Sequence, residues 1–424
     1  MSIVNSIKSL FNKNTLIYIS TIIVSIFLIV IGNNITTKDL SILKGAEGIT
    51  AEKAQVIKII KIKSVEYNIG GEKLEEGKEI VFSAKIISGD NKSKLVTAVQ
   101  SSDPFTGIPL KDVEAGDKVV LYKLENQDSE YDYVLGEYLR TNSLMILGII
   151  FFVLLIIFGR FKGFNTILSL IFTCLAILTV FIPAVLQGFN IYFWSIITCV
   201  FIIAMSLLII YGANKKSLAS GIGCIVGVLI SGVLTLIMNK ILHLTGLVSE
   251  ESLYIIRMNP QHPIDLKAVI FAAIIIGAVG ALMDISMSLA ASLAELSEKL
   301  EYSPFNLLIK SGMSIGRDMM GTMTNTLILA YIGSSLSAVL LLVSYNSSLV
   351  ELLNKEIVVV EVLQALVGSI GILFAIPLTS LVCGYLFSER VNLNKKKYSF
   401  GKSSDSSTDL DTDEYTDEYT DGWN

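Results

Sequence analysis

Charged residues are scarce in this 424-residue sequence. Only 17% of the residues are charged, whereas a soluble globular protein carries about a quarter. Hydrophobic residues make up 52%, and the mean hydropathy is +0.64. Because the apolar excess is concentrated in long runs, the composition argues against an ordinary soluble globule. It predicts a polytopic α-helical membrane protein with one soluble insert.

Histidine and cysteine are scarcer still, with two and four residues. All four cysteines fall in apolar runs, and no Cys or His pair has the spacing of zinc or haem ligands. The sequence contains no nucleophile–base constellation, phosphate loop or pair of catalytic carboxylates. It also has no basic patch with interleaved aromatic residues. We therefore expect no enzymatic activity, no cofactor, no metal site and no nucleic-acid partner.

The N-terminal region predicts a membrane anchor. Residues 1–14 carry two lysines and are expected on the cytoplasmic side, and Leu16 to Ile31 form a continuous apolar run. This run resembles the apolar region of a signal peptide, but it is long for one and no small-x-small cleavage pattern follows it. We favour an uncleaved anchor helix over residues 15–32.

Residues 33–142 predict a small extracytoplasmic β-rich domain. Five segments alternate apolar and polar residues or have β-branched character, and turn residues such as Ser88 to Asn91 and Ala115 to Asp117 separate them. The predicted strands are 55–67, 79–87, 94–100, 118–124 and 131–138. Since open sheet edges are a liability, the set favours a closed OB-like barrel or a sandwich.

Residues 143–388 predict a membrane domain of seven helices, which with the anchor makes eight. The predicted spans are 143–159, 164–186, 190–212, 217–240, 266–290, 319–343 and 358–387. With eight spans, the N-terminal segment, the loops after the second and fourth spans, the segment after the sixth and the tail fall on one side, and the short loops on the other side carry fewer lysines and arginines. The positive-inside rule then places both termini in the cytoplasm and the β-rich domain outside. The acidic tail, 389–424, cannot bury apolar surface and is expected to be disordered.

Small residues in the membrane domain predict close helix contacts. Gly223 and Gly227 form a GxxxG pattern in the fifth span, and glycines at this spacing let helix backbones approach closely. Four more glycines lie in or next to the sixth and seventh spans. They are Gly277, Gly280, Gly316 and Gly321. We interpret all six as helix-packing positions.

Asp284 is the only charged residue between Ala268 and Ala294, within the sixth span. Placing a charged side chain in lipid costs about 3 kcal/mol or more, so such a residue indicates a functional site. Ser288 follows one turn later on the same helix face. An alternative is a carboxylate at the membrane boundary, wetted from the cytoplasm.

The seventh span is entered through a polar stretch, Ser311 to Thr326. Five of its residues complete the candidate intramembrane site. They are Arg317, Asp318, Thr322, Thr324 and Asn325. Arg317 is a natural charge partner for Asp284 or Asp318. The alternative is a membrane-edge anchor in which Asn325 holds helices together.

Three motifs together resemble the YibE/F family of bacterial membrane proteins. The first is Gly-Ala-x-Gly-Ala-x-Met-Asp at 277–284. The second is Ser-Gly-x-x-Ile-Gly-Arg-Asp at 311–318 with its continuation to residue 327, and the third is Ala-Tyr-x-Gly at 330–333. The resemblance extends from the outer domain through the last span. It implies a multi-pass protein of the bacterial plasma membrane with a permease-like role.

Two functions remain open from the sequence. In the first, the protein is a transporter or permease whose polar path for an unknown solute or ion runs between the sixth and seventh helices. In the second, it is a non-transporting scaffold or assembly factor that acts through the outer domain. Its intramembrane polar residues would then lock helices together through an ion pair. The expected partners are the lipid bilayer, the solute or ion, and a membrane or cell-envelope protein.

Overall fold

The structure is a computed structural model with a small β-barrel followed by a bundle of long helices. It describes residues 13–37, 51–69, 73–89, 91–102, 111–124, 131–248, 250–258, 263–300, 302–344 and 348–388. The predicted tail at 389–424 and nearly all of the N-terminal segment at 1–14 lie outside these residues.

Five strands form the closed barrel. They are β1 (Ala51–Ile69), β2 (Lys73–Ile86), β3 (Leu95–Ser102), β4 (Lys118–Lys123) and β5 (Tyr133–Tyr138). Their order around the barrel is β1-β2-β3-β5-β4, and β3 and β5 run parallel while the other pairs are antiparallel. The predicted strands are confirmed, and of the two predicted architectures the barrel is the one found.

Alternating side chains explain why these segments close into a barrel. Val96 and Ala98 of β3 point inward, and Phe82 and Leu121 are fully buried beside them. Gln100 is a buried polar exception. Its amide donates to the Lys111 carbonyl at 2.8 Å and accepts from the Val113 amide at 2.9 Å. This residue thereby ties the chain before β4 to the inside of the barrel.

The rest of the described chain is helical apart from short connections. The helices are α1 (Lys13–Thr36), α2 (Thr141–Ala176), α3 (Ile182–Leu186), α4 (Ile191–Tyr211), α5 (Lys215–Ile241), α6 (Glu250–Met258), α7 (Leu266–Lys299), α8 (Phe305–Ser334), α9 (Leu336–Ser344), α10 (Leu349–Asn354) and α11 (Glu356–Phe387). A π-helical turn, Ile177–Phe181, joins α2 to α3.

Six helical segments within the described residues are long and apolar enough to cross a membrane. Two local features explain the difference from the predicted eight spans. Predicted spans 143–159 and 164–186 lie in one continuous apolar segment, Thr141–Leu186. This segment is kinked at Arg160, whose backbone angles are not helical (φ 50°, ψ −129°). The helix that contains most of the predicted span 319–343, α8, is not among the six. It has 30 residues, but one of its faces is polar.

Helices α5, α7 and α11 form the centre of the bundle and meet at glycines. A Cβ atom at Gly227 would lie 2.7 Å from Leu282 of α7 and 3.2 Å from the Gly371 carbonyl of α11. Gly223 packs against Thr379 of α11 one turn away. The predicted GxxxG pair therefore lies where three helices come closest.

Helix α8 runs antiparallel to α11 along most of its length. Gly312 faces Ser380, Gly316 faces Ile376, and Leu327 packs against Gly368. Pro304 is the N-cap residue, so α8 begins at Phe305, well before the predicted span at 319. A proline is compatible with a helix start because it has no amide proton to leave unpaired.

Candidate functional site

Asp284 lies on the one face of α7 that the other helices leave open. Half of this helix is buried, and Leu282, Ile285 and Ser286 around Asp284 are almost completely enclosed. Five residues at helical spacing are exposed instead. They are Ala273, Gly277, Gly280, Asp284 and Ser288. We call this open face the α7 groove. In it, the carboxylate of Asp284 lies among small residues.

Helices α4 and α8 border the groove. The Tyr211 hydroxyl at the end of α4 lies near enough to Asp284 for the two groups to interact electrostatically. On the other side, a Cβ atom at Gly277 would lie 2.8 Å from the Tyr331 hydroxyl of α8. Gly280 also lines a cavity of about 280 Å³ that reaches Ser169 and other residues of α2 and α4.

Asp284 has no ionic or hydrogen-bonding partner among the described residues, and neither has Arg317. The proposed pairing of Arg317 with Asp284 or Asp318 is therefore not formed in the part of the chain described. An unpaired carboxylate keeps its charge only where water or a bound cation reaches it. Asp284 is exposed on the open face of α7, so water or a cation could reach it if this groove is hydrated.

The neighbouring helix shows where Asp284 lies along the helical bundle. Helix α4 has 21 residues, about 31 Å at the usual helical rise, which matches the hydrocarbon thickness of about 30 Å. Its last residue, Tyr211, is the residue close to Asp284. Helix α7 continues beyond this level, and its Glu298 pairs with Lys216 at 3.8 Å. Asp284 therefore lies at the level where α4 ends, on the side of the bundle where α5 begins.

The polar residues of α8 divide between two faces. Thr324 faces the bundle, and its hydroxyl is buried without a hydrogen-bond partner in the described chain. Asp318, Thr322 and Asn325 are exposed on the side away from α7 and α11. Arg317, the residue before Asp318, is also exposed. The structure thus separates residues that the sequence grouped into one site.

The six predicted packing glycines also differ from one another. Gly223, Gly227 and Gly316 each lie against a neighbouring helix, whereas Gly277 touches only the Tyr331 hydroxyl. The other two, Gly280 and Gly321, have open space where a side chain would start, with nothing described within 4 Å.

One acidic residue near the groove was missed by the sequence reasoning. Glu361 of α11 has one carboxylate oxygen buried without a hydrogen-bond partner among the described residues. It lies close enough to Tyr331 for an electrostatic interaction. The sequence does show Glu361 as an acidic residue inside the apolar run 358–387. Because it lies only three residues from the start of that run, it resembles a residue at the membrane boundary.

The comparisons with known proteins agree with the membrane-domain motifs. The family model described as YibE/F-like protein matches residues 147–389, and the match begins after the barrel. The resemblance expected for the outer domain is therefore not part of this match. No curated protein and no solved structure matches the chain. Because the family model covers more than half of the 424 residues, the chain belongs to the YibE/F-like protein family.

Proposed function

We propose that this protein is a transporter or permease of the bacterial plasma membrane and not an enzyme. In this proposal the chain crosses the membrane eight times, with both termini in the cytoplasm and an OB-like barrel outside. The strand order β1-β2-β3-β5-β4 supports an OB-like barrel. The kink at Arg160 and the length of α8 support two spans beyond the six apolar segments.

The unpaired Asp284 on an open face of α7 carries the proposal. A carboxylate held against lipid would be strongly unfavourable, but a carboxylate in a hydrated groove can bind and release a proton or a cation. Gly280, one turn before Asp284, leaves open space beside it, and Tyr211 and Tyr331 provide hydroxyl groups at two levels of the groove. The solute path would follow this groove between α7 and α8.

The barrel lies close to the membrane in this arrangement. Only Leu139 and Arg140 separate the end of β5 from the start of α2. A two-residue connection holds the barrel at the membrane surface, where it can bind or recruit the solute before entry. This role is part of the proposal and does not require a cofactor.

A double substitution separates transport from the scaffold alternative. The scaffold requires Asp284 and Arg317 to stabilise each other, whereas the structure leaves both unpaired in the described chain. We expect Asp284→Asn and Arg317→Gln each to reach the membrane at the wild-type level, and the double variant to do the same. The measurement is the amount of monodisperse full-length protein extracted from membranes.

The scaffold function makes the opposite prediction for these three variants. Both single variants would lose abundance and the double variant would recover part of it, because each single change leaves one buried charge without its partner. That pattern would refute the proposed role of Asp284 in transport.

A further inference from the structure

A regular row of exposed residues runs along the outward face of α8. The row consists of Asp318, Thr322, Asn325, Leu329 and Ile332, and all five side chains are exposed. Their spacing alternates between four and three residues. This spacing keeps the five side chains on one face of the helix, and it is the spacing with which two helices pack in a left-handed pair. We call these five residues the α8 seam.

The other faces of α8 are already occupied. Gly316 and Leu327 lie against α11, and Tyr331 lies against α7 at Gly277. The α8 seam is directed away from both helices and, within the described residues, no other helix covers it. It is therefore a complete packing surface without an intramolecular partner in the part of the chain described.

Asn325 makes this exposure unfavourable in a membrane. Leu327 packs against Gly368, which is 12 residues, or about 18 Å, from the start of α11, so in the proposed eight-span arrangement this part of α8 lies well inside the membrane. The Thr322 hydroxyl is satisfied by the Met319 carbonyl at 2.9 Å. The Asn325 amide has no such bond among the described residues. An amide facing lipid lacks any partner, whereas an amide facing another helix can form interhelical hydrogen bonds.

We propose that the α8 seam binds the same seam of a second copy of this chain. Two copies in one membrane have the same orientation, so a two-fold axis along the membrane normal brings their α8 helices together in parallel. A parallel pair places the polar residues Asp318, Thr322 and Asn325 of one copy opposite those of the other. It also places Leu329 and Ile332 opposite their own counterparts, which an antiparallel pair would not do. The two Asn325 amides then bond to each other across the axis, as a polar residue does when it fixes the register of a helix pair.

The charges at the Asp318 end of the seam act on this arrangement in opposite directions. Two Asp318 carboxylates approaching across the axis repel each other, and the adjacent Arg317 supplies an exposed cation that offsets the repulsion. Gly321, one turn further on, has open space around it and leaves room for the second helix. The inference goes beyond transport, because it assigns the α8 seam to assembly and leaves the α7 groove free.

Disulfide cross-linking in native membranes tests the seam directly. The background is full-length protein with Cys174→Ser, since Cys174 is exposed while the other three cysteines are buried. Asn325→Cys and Leu329→Cys are compared with Thr326→Cys, which is exposed but lies about 100° around the helix from Asn325. We expect the two seam variants to form a dimer of this chain several-fold more than Thr326→Cys. Equal yields at all three positions, or a cross-link only to a different protein, would overturn the proposal.

The mass of the purified protein in lipid nanodiscs provides a second test. We expect the wild-type chain at the mass of two copies, Asn325→Leu shifted to the mass of one, and the matched Thr326→Leu unchanged. A wild-type protein at the mass of one chain, or an Asn325→Leu variant that remains at two, would refute the pairing. A single-copy Asn325→Leu that keeps Asp284-dependent activity would leave the transport proposal intact.

Discussion

Asp284→Asn is expected to remove most of the transport activity while leaving the protein folded and inserted. Asparagine keeps the size and polarity of the side chain but cannot carry the negative charge. A charge attracts a cation 4 Å away by about 4 kcal/mol at an effective dielectric constant of about 20. Even a third of that energy corresponds to roughly a tenfold loss of affinity.

The experiment that tests this prediction does not require the solute to be known. Cells that lack the protein receive the wild-type chain or a variant, and their ion and small-molecule contents are compared by elemental analysis and mass spectrometry. We expect every wild-type difference to disappear with Asp284→Asn, and the size of the wild-type difference to vary with external pH.

Glu295→Gln is the matched control for this substitution. It also removes one carboxylate from α7, but Glu295 lies three turns further along and already pairs with Lys299 at 2.8 Å. Wild-type contents with Glu295→Gln and lost differences with Asp284→Asn would fit the proposal. Full activity in Asp284→Asn would exclude this carboxylate from the mechanism.

Gly227→Val is expected to destabilise the membrane domain more than any surface change. The new side chain would start 3.2 Å from the Gly371 carbonyl and 2.7 Å from Leu282, so α5 must move away from α7 and α11. Overpacking of this kind costs about 1–3 kcal/mol. We expect a lower apparent melting temperature of the full-length protein in detergent. It is measured by size-exclusion chromatography of samples heated to increasing temperatures.

Gly148→Val controls for the change in helix propensity. Gly148 is also helical, in α2, but nothing described lies within 4 Å of a Cβ atom placed there. We expect this variant to melt close to the wild-type temperature. If Gly227→Val behaved in the same way, the three-helix contact would not be tightly packed, and the central position assigned to α5 would be wrong.

The barrel was largely predictable from sequence because its signals are local. Alternating residues defined the strands, and Gly116, at φ +97°, occupies a turn that favours glycine. The parallel pairing of β3 with β5 was not predictable in the same way, because it joins strands far apart in sequence and depends on closure of the whole barrel.

The candidate site was predictable only in part. Helical spacing placed Asp284 and Ser288 on one face of α7, and the structure places both on the open face. Spacing alone could not show where each face points. Asp318 and Asn325 therefore appeared to belong with Asp284, although α8 turns them outward. The direction of a face depends on which helices pack around it, and that information is distributed over the whole bundle.

The central question is whether water reaches Asp284. In the Cys174→Ser background, Asp284→Cys is treated with a charged, membrane-impermeant thiol reagent in inside-out vesicles. Phe374→Cys is the control, because Leu282 and Gly371 lie at one level and the exposed, apolar Phe374 of α11 is expected to face lipid at a similar depth. We predict rapid labelling of Asp284→Cys and slow labelling of Phe374→Cys. Equally slow labelling at both positions would show that Asp284 faces lipid and would contradict the proposed path.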